Sequence, residues 1–499
     1  MTYTLLIVES PAKTKKIEDF LGPGYKCLAS FGHIRELNGL KSIDFENNYN
    51  PRYNEIATKQ QQISRLRTAI TMSNETVLAT DDDREGEAIA WHICKTFGLP
   101  VETTKRILFH EITKPAIVEA MHHPTIINMN LVNAQIARQV LDLMVGYKVS
   151  PYLWQKISRK MSTGLSAGRC QTPALRLVFE NQIDINNSPG KQIYNVNGMF
   201  KIGQKIINYH LNDGLEQMDK IREFLGLSKT FKHELTIENP TFTTKKCPEP
   251  FTTSLLQQKA SNELHISPKE TMTICQKLYE NGLITYMRTD SQTYSKDFIE
   301  STKKYVTEMY NKNYINENID NLSERKTDNI KSKKKSKKDE NKAQEAHEAI
   351  RPTNINVNTI SEGTKINWNN KEMKLYKLIW SNTLESCMAN ARYNTIKTTI
   401  SAPIKLLYKN NYELVDFPGW KVVNGYEKEN LEITNSLKVE IDLNVHEYIG
   451  HANQSIEDKE KIRELLVYGL DDPEISRYFF EKEGNLFFKR NVFLILGKK

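Results

Sequence analysis

Hydrophobic and polar positions change period several times along the chain, and each change marks an element. The apolar run TYTLLIV predicts a buried strand, and SPAKTKKIEDFLG predicts a helix with Ser10 as N-cap and Pro11 at its first position. TVLAT (76–80) predicts a second strand. The segment DDDREGEAIAWHICKTFG starts acidic, becomes amphipathic and closes at Gly98 as a helix. RILFHEIT (106–113) predicts a third strand leading into a helix at Lys114–Met121. This alternation argues for a mostly parallel sheet over residues 1–125.

Residues 128–186 carry a helical period, with Ala134, Ala137, Leu141 and Met144 on one face and Gly146 as the expected stop. Residues 188–242 turn β-rich, as in YNVNGMFKIGQKIINYHL. Residues 248–372 return to helix. Ser267, Pro268 and Glu270 predict a capping box, Met272, Cys275, Leu278 and Tyr279 an apolar face, and Asn281-Gly282 the stop. The stretch 311–342 has few apolar residues and predicts a mobile loop. From residue 373 a helix precedes alternating segments such as YNTIKTTIS and YELVDFPGWKVV. The fold class is multidomain α/β plus α+β, with one β-rich domain interrupted by an inserted helical block.

Charge adds one feature. The net charge is +8, yet residues 325–338 alone hold eight basic side chains and one Asp, so the rest is nearly neutral. That run suits nonspecific contact with nucleic acid, and equally a solvated loop. The six cysteines are scattered with no C-x-x-C pair, which argues against a disulfide scaffold and a zinc ribbon. No apolar run reaches membrane-spanning length and the N-terminus lacks the pattern of a secretion signal, so an unexported chain is expected.

Four constellations carry chemistry. Glu9 follows one strand, and Asp81, Asp83 and Glu85 follow another. Strand ends of a parallel sheet gather ligands, and clustered hard oxygens suit Mg²⁺. Acidic residues also complement a helix N-terminus without any metal. Tyr286 in LITYMRTDS is a candidate nucleophile, because a tyrosine can attack a phosphodiester and hold the broken strand. In an extended segment Arg288 shares its face and would stabilise the transferring phosphoryl group. In QEAHEAIRP, His347 and Arg351 are phosphate-contact candidates. In GLSAGRCQTPALRLV, small residues permit close backbone approach, and Arg169 is a candidate phosphate ligand. No G-x-x-x-x-G-K-[ST] sequence occurs, so nucleotide drive through that motif is absent.

Taken together these residues resemble the type IA DNA topoisomerases, and the topoisomerase I branch in particular. LIVESPAKTKKIEDFLG, FGHIREL, LATDDDREGEAIAWH, FHEITK, VNAQIARQVLD, VGYKVSP, LSAGRCQTPALRLV, PFTTSLLQQKAS, LYENGLITYMRTDS and QEAHEAIRP follow in the family's order over about residues 3–425. The resemblance implies a Toprim domain at 1–125 and a helical DNA-entrance domain at 126–187 and about 450–499. It implies a β-rich hinge domain at 188–242 and about 373–449, a winged-helix-like domain at 243–372, and a toroid built from them. It further implies that Tyr286 forms a 5′-phosphotyrosine and Arg288 stabilises the transition state. Lys13 and His347 would contact the scissile phosphate, with Glu9 or Lys13 near the leaving oxygen. Glu9, Asp81, Asp83 and Glu85 would serve Mg²⁺. Arg138, Asp142, Tyr147, Arg169, Gln258 and Arg351 would line or support a single-strand groove, with Asp142 at the base of the gate helix. The implied partner is a single-stranded segment of negatively supercoiled DNA, handled by a monomer without nucleotide or membrane, in the cytoplasm or nucleoid.

Several positions depart from the family pattern. Asp82 stands where an apolar or small residue is usual, and Gln139 and Leu143 replace arginines beside the groove. KMST (160–163) looks inserted, and the family's G-I-G-R-P-S-T-Y-A segment is not found after about residue 430, nor are the zinc modules. Three rival readings stay open at this point: a Toprim nuclease or primase, a DNA-binding or cleavage-only remnant lacking full relaxation, and a decatenating relative that activity on linked circles would reveal.

Overall fold

The computed structural model describes residues 3–157, 165–188, 190, 194–202, 205–212, 214–323, 348–360, 366–426, 479–482 and 485–488. They form two compact units. The first takes in Met1–Asn187, Lys246–Asn390 and Gly419–Gly425, and the second includes Ser188–Lys245 and Ala391–Pro418.

The first unit is built on a three-stranded parallel sheet in the order Tyr25–Ala29, Thr4–Val8, Glu75–Ala79. Val8 pairs with Ala29 on one side and Ala79 on the other, so the strand ends lie level. Both faces are covered, as a parallel sheet requires. Leu5 and Ile7 pack with Ile63 and Leu66 of helix α2 (Gln60–Met72) and Ile89 and Ile93 of α3 (Arg84–Phe97). Leu6 and Val8 pack the other way, beside Ile17 of α1 (Thr14–Leu21) and Ile117 of α4 (Lys114–His122). That second core runs on without a break into α8 (Thr253–Leu264), α9 (Pro268–Glu280), α10 (Lys296–Met309) and α11 (Asn370–Ser386).

The strand Tyr25–Ala29 had no clear signal in the sequence, and the strand expected at 106–113 is not formed. Arg106 makes one parallel bridge to Leu78, after which the backbone leaves the sheet. Further along, the His110 carbonyl accepts the amide of Tyr286 at 2.8 Å. Helix α9 has Ser267 as its cap, with the hydroxyl accepting from the Glu270 amide, but the Glu270 carboxylate bonds Lys371 at 2.7 Å instead of closing the box. Asn311–Ser323, expected in a mobile loop, is folded. Two short 3-10 turns bury Ile319, and Ile315 bridges Met388. The remainder of that expected loop, 324–342, lies outside the described residues. Helix α11, expected to open the second β-rich stretch, packs on α8 and α9, and Lys277 grips Glu372 at 2.8 and 2.9 Å. The β-rich unit therefore resumes at Ala391.

Helix α5 (Met129–Lys156) is 28 residues long and passes through both Gly146 and Pro151. A helical Gly costs only about 1 kcal/mol, which its packing against α3 outweighs. Helix α6 (Gln171–Asn187) follows the SAGR segment. In the second unit an antiparallel sheet takes the order Leu235–Ile237, Ala391–Ser401, Leu407–Phe417, Lys205–Leu211, Asn197–Ile202. Its core joins Phe200, Tyr209, Ile400 and Tyr408 to Phe224 of α7 (Met218–Ser228). The helical reading of about 450–499 does not hold at Phe479–Lys482 and Asn485–Phe488, which pair as antiparallel strands. The rest of 450–499, and KMST, lie outside the described residues.

One buried acid makes the first unit sensitive to pH. Glu385 is nearly inaccessible, and burial pushes its carboxyl up to about 7 despite Lys259 at 3.9 Å. Below the unfolded value of 4.5 the group is neutral in both states. Between 4.5 and about 7 the unfolded chain releases the proton and the folded chain keeps it. Folding therefore loses stability over that window, by about 3 kcal/mol in total, and stays at the lower level above it. Glu385→Gln is expected to raise the melting temperature at about pH 8 and to leave it unchanged at about pH 4.5. Equal shifts at both values would remove the burial argument.

Candidate active site

The level strand ends decide where the acids lie. Glu9 leaves the end of Thr4–Val8, and Thr80-Asp81 leaves the neighbouring end of Glu75–Ala79. Asp83 then caps α3, its Oδ1 accepting the Gly86 amide at 2.8 Å. The Thr80 hydroxyl donates to the Gly86 carbonyl at 2.7 Å. Fully buried Arg106 donates to the Asp81 carbonyl at 2.9 Å and lies 2.9 Å from the Glu87 carboxylate. A Cβ on Gly86 would lie 2.0 Å from the Asp81 carbonyl oxygen, so the turn requires glycine there.

Tyr286 arrives from the other side of this cavity. Its short extended segment is pinned by Thr285, whose amide donates to the Arg351 carbonyl at 2.9 Å. Thr253 of α8 pins it again, with its hydroxyl on the Met287 carbonyl at 2.7 Å. The Tyr286 hydroxyl donates to the Asp83 carboxylate, and Arg288 reaches the same oxygen at 3.3 Å. Tyr286 and Arg288 thus share a face, as an extended segment predicts. The Tyr286 ring meets Tyr279 edge-on at 5.2 Å. Lys13 is buried, paired with Asp81, and lies 4.8 Å over the Tyr279 ring.

Glu9, Asp81, Asp83, Glu85, Tyr286 and Arg288 line one cavity of about 600 Å³. Burial, then Asp81, pushes the Glu9 carboxyl up to about 7. Burial, then Asp83 and Asp81, raises the Tyr286 hydroxyl well above its usual value, so the phenol holds its proton in this arrangement. The His33 hydrogen bond is the main cause that keeps Glu85 below the usual carboxylate range. Among the described residues no three His, Cys, Asp or Glu side chains converge at metal-ligating distance. The donor set nonetheless fits a hard divalent cation, because four carboxylates share the cavity and the charges of Asp81 and Asp83 add to burial in raising the proton affinity of Glu9.

The remaining candidates divide. Helix α5 brings Gln135 to Glu85 at 3.1 Å and Arg138 into its field. Asp142, one turn on, holds Arg169 through bonds of 2.9 and 3.2 Å. Tyr147 is exposed and lies against Gly39. Gln258 is exposed on α8. Arg351 is not available to a phosphate. It is buried and spread over Glu348, Glu111, Ser295 and the Pro352 carbonyl, with its guanidinium 4.3 Å over the Phe298 ring. His347 lies outside the described residues. Asp82 lies 3.7 Å from His110 and is not among the residues lining the cavity. Gln139 accepts from the Tyr53 hydroxyl at 2.9 Å. His33, Arg106 and Gln135 have no functional role assigned from the sequence, and Tyr279 only a place on an apolar face, although His33, Gln135 and Tyr279 sit inside the quoted motifs FGHIREL, VNAQIARQVLD and LYENGLITYMRTDS.

Comparison with known proteins bears on the whole arrangement. The sequence matches the Toprim domain over residues 4–112. It matches the DNA topoisomerase family over residues 126–460, more than half of the chain. The chain belongs to the type IA DNA topoisomerases. It is similar to the structure of full-length topoisomerase I from Thermotoga maritima in a monoclinic crystal form, at 28% identity and a TM-score of 0.70. That likeness covers 97% of this chain and 80% of the other. This topoisomerase is therefore an isomerase that changes DNA topology, and DNA is its partner. Among the described residues no helix is long and apolar enough to cross a membrane.

Proposed function

We propose that this topoisomerase relaxes negatively supercoiled DNA, without nucleotide, by opening one strand through a 5′-phosphotyrosine at Tyr286, passing a strand and resealing. The observation that carries this reading is the Tyr286 hydroxyl seated on the Asp83 carboxylate with Arg288 on the same oxygen. Arg288 then stands within reach of the phosphoryl group that Tyr286 would attack. Asp83 orients the hydroxyl and accepts its hydrogen bond. Glu9, with its raised proton affinity, suits donation of a proton to the departing 3′ oxygen. Lys13 offsets charge at Asp81. Asp81, Asp83 and Glu85, with Glu9 beside them, would hold Mg²⁺, which when bound supplies positive charge opposite the phosphate. Exposed Arg138 and Tyr147 and the Asp142–Arg169 pair would border the single strand along α5. The protein is proposed to act as a monomer, in the cytoplasm or nucleoid where its substrate lies.

The direct test uses 3′- and 5′-labelled single-stranded DNA, each with and without Mg²⁺, on denaturing gels. Label retained on protein from the 3′-labelled strand is expected, and supercoiled plasmid should relax with Mg²⁺ alone. Free, protein-less cut ends would favour a nuclease. Cleavage without plasmid relaxation would favour a cleavage-only protein.

His33 gives a finer test. His33 and Gln135 both meet Glu85 Oε2 at 3.1 Å and fix that carboxylate. His33→Ala is expected to raise the Mg²⁺ needed for half-maximal cleavage by about tenfold. A superimposable Mg²⁺ titration would show that Glu85 needs no such support.

A further inference from the structure

Two motifs singled out in the sequence, FHEITK and AIRP, have no part in the chemistry described above, yet they meet in the structure. Residues His110, Glu111 and Ile112 press against the tyrosine-bearing segment at three consecutive points. The His110 carbonyl accepts the Tyr286 amide at 2.8 Å. The Ile112 carbonyl lies so close to Gly282 that a Cβ there would meet it at 2.4 Å. Between them, Glu111 Oε2 lies 3.0 Å from Arg351 Nη1. A fourth contact crosses nearby, where Lys16 of α1 donates to the Asn281 carbonyl at the end of α9, at 2.7 Å.

The arrangement separates placement from reaction. Glu111 and Lys16 do not line the catalytic cavity. Arg351 also holds Glu348 at 2.6 Å and Ser295 at 3.3 Å, contacts within the tyrosine-bearing part that do not involve Glu111. The Glu111 Oε1 atom is held by the Thr113 hydroxyl at 2.8 Å, which leaves Oε2 for Arg351. We propose that Glu111 and Lys16 form a two-point latch that seats the tyrosine-bearing segment against the Toprim domain, so that Tyr286 reaches Asp83, and that strand passage requires its release. They are positioning residues, acting through Arg351 and Asn281. The strand-passage part rests on the reading of Tyr286 given above. The seating part rests only on geometry.

Glu111→Gln combined with Lys16→Met removes the charges while Gln keeps an acceptor for Thr113. Hydrogen exchange on the full chain without DNA reads the seating directly. Exchange at the peptide containing Tyr286 is expected to quicken about tenfold, with α9 and α11 unchanged. With single-stranded DNA, the covalent fraction at equilibrium is expected to rise several-fold, because the cleaved gate recloses less readily. Unchanged exchange at Tyr286, or equal loss of protection through α9 and α11, would overturn the latch. Changed exchange together with an unchanged covalent fraction would overturn its link to strand passage. A wild-type chain that forms no adduct would overturn the reading of Tyr286, and the exchange experiment would still decide the seating.

Discussion

Tyr286→Phe is expected to abolish covalent attachment to single-stranded DNA, with no adduct on a denaturing gel at any Mg²⁺ concentration. The substitution deletes the one atom that would form the bond and little else. The ring keeps its edge contact with Tyr279, and the Tyr286 amide keeps the His110 carbonyl. Asp83 loses one donor but retains Arg288 at 3.3 Å and the Gly86 amide at 2.8 Å. Stability should therefore change by no more than about 1–2 kcal/mol. Neighbouring Tyr279 supplies the contrast. Its hydroxyl is fully buried and meets no hydrogen-bond partner among the described residues. Tyr279→Phe should leave adduct formation intact. Adducts that persist in Tyr286→Phe and vanish in Tyr279→Phe would reverse the assignment.

Gly86→Ala is expected to lower cleavage about a hundredfold, since misplacement of reacting groups by about 1 Å carries that cost. Its Cβ would lie 2.0 Å from the Asp81 carbonyl oxygen, and neither partner has room to yield. The carbonyl is held by Arg106, and the helix start by Asp83 and by Thr80. Moving the carbonyl takes one hydrogen bond from a fully buried guanidinium that keeps Glu87, at about 1.5–3 kcal/mol. At the other end of α3, Gly98 has a φ of +70° and open space around it. Gly98→Ala should therefore cost only about 1–2 kcal/mol of backbone strain and leave cleavage unaltered. Circular dichroism and the labelled-strand assay would separate the two outcomes. Full cleavage by Gly86→Ala would show that the acidic turn tolerates a shift.

Much of the site was legible because it is local. A strand followed by an acid, twice, places Glu9 beside Asp81 once the sheet is parallel, and the period of two places Arg288 with Tyr286. What escaped was set by distant partners. RILFHEIT has the composition of a strand, but beyond Arg106 it leaves the sheet, and its His110 carbonyl serves Tyr286, far along the chain. Arg351 has the residue type of a phosphate ligand, and only the fold shows Glu111 and Glu348 waiting for it. Glu270 fits a capping box, and Lys371 competes for it from another helix. His33 and Gln135 sit in quoted motifs, yet their shared target, Glu85, is visible only when α5 lies against α3.

The 203-residue separation between Asp83 and Tyr286 also matters while the protein is being made. At roughly 5–20 residues per second, a ribosome finishes the acidic turn about ten to forty seconds before it reaches the nucleophile. The Thr285 hydroxyl then waits for Arg351, 66 residues further on, before the reactive segment has its backbone partners. A nascent chain can thus fold its acidic sheet while the proposed nucleophile is still unmade. On the proposed reading, the capacity to cut DNA arrives only once Tyr286 and the backbone partners of its segment have all been made.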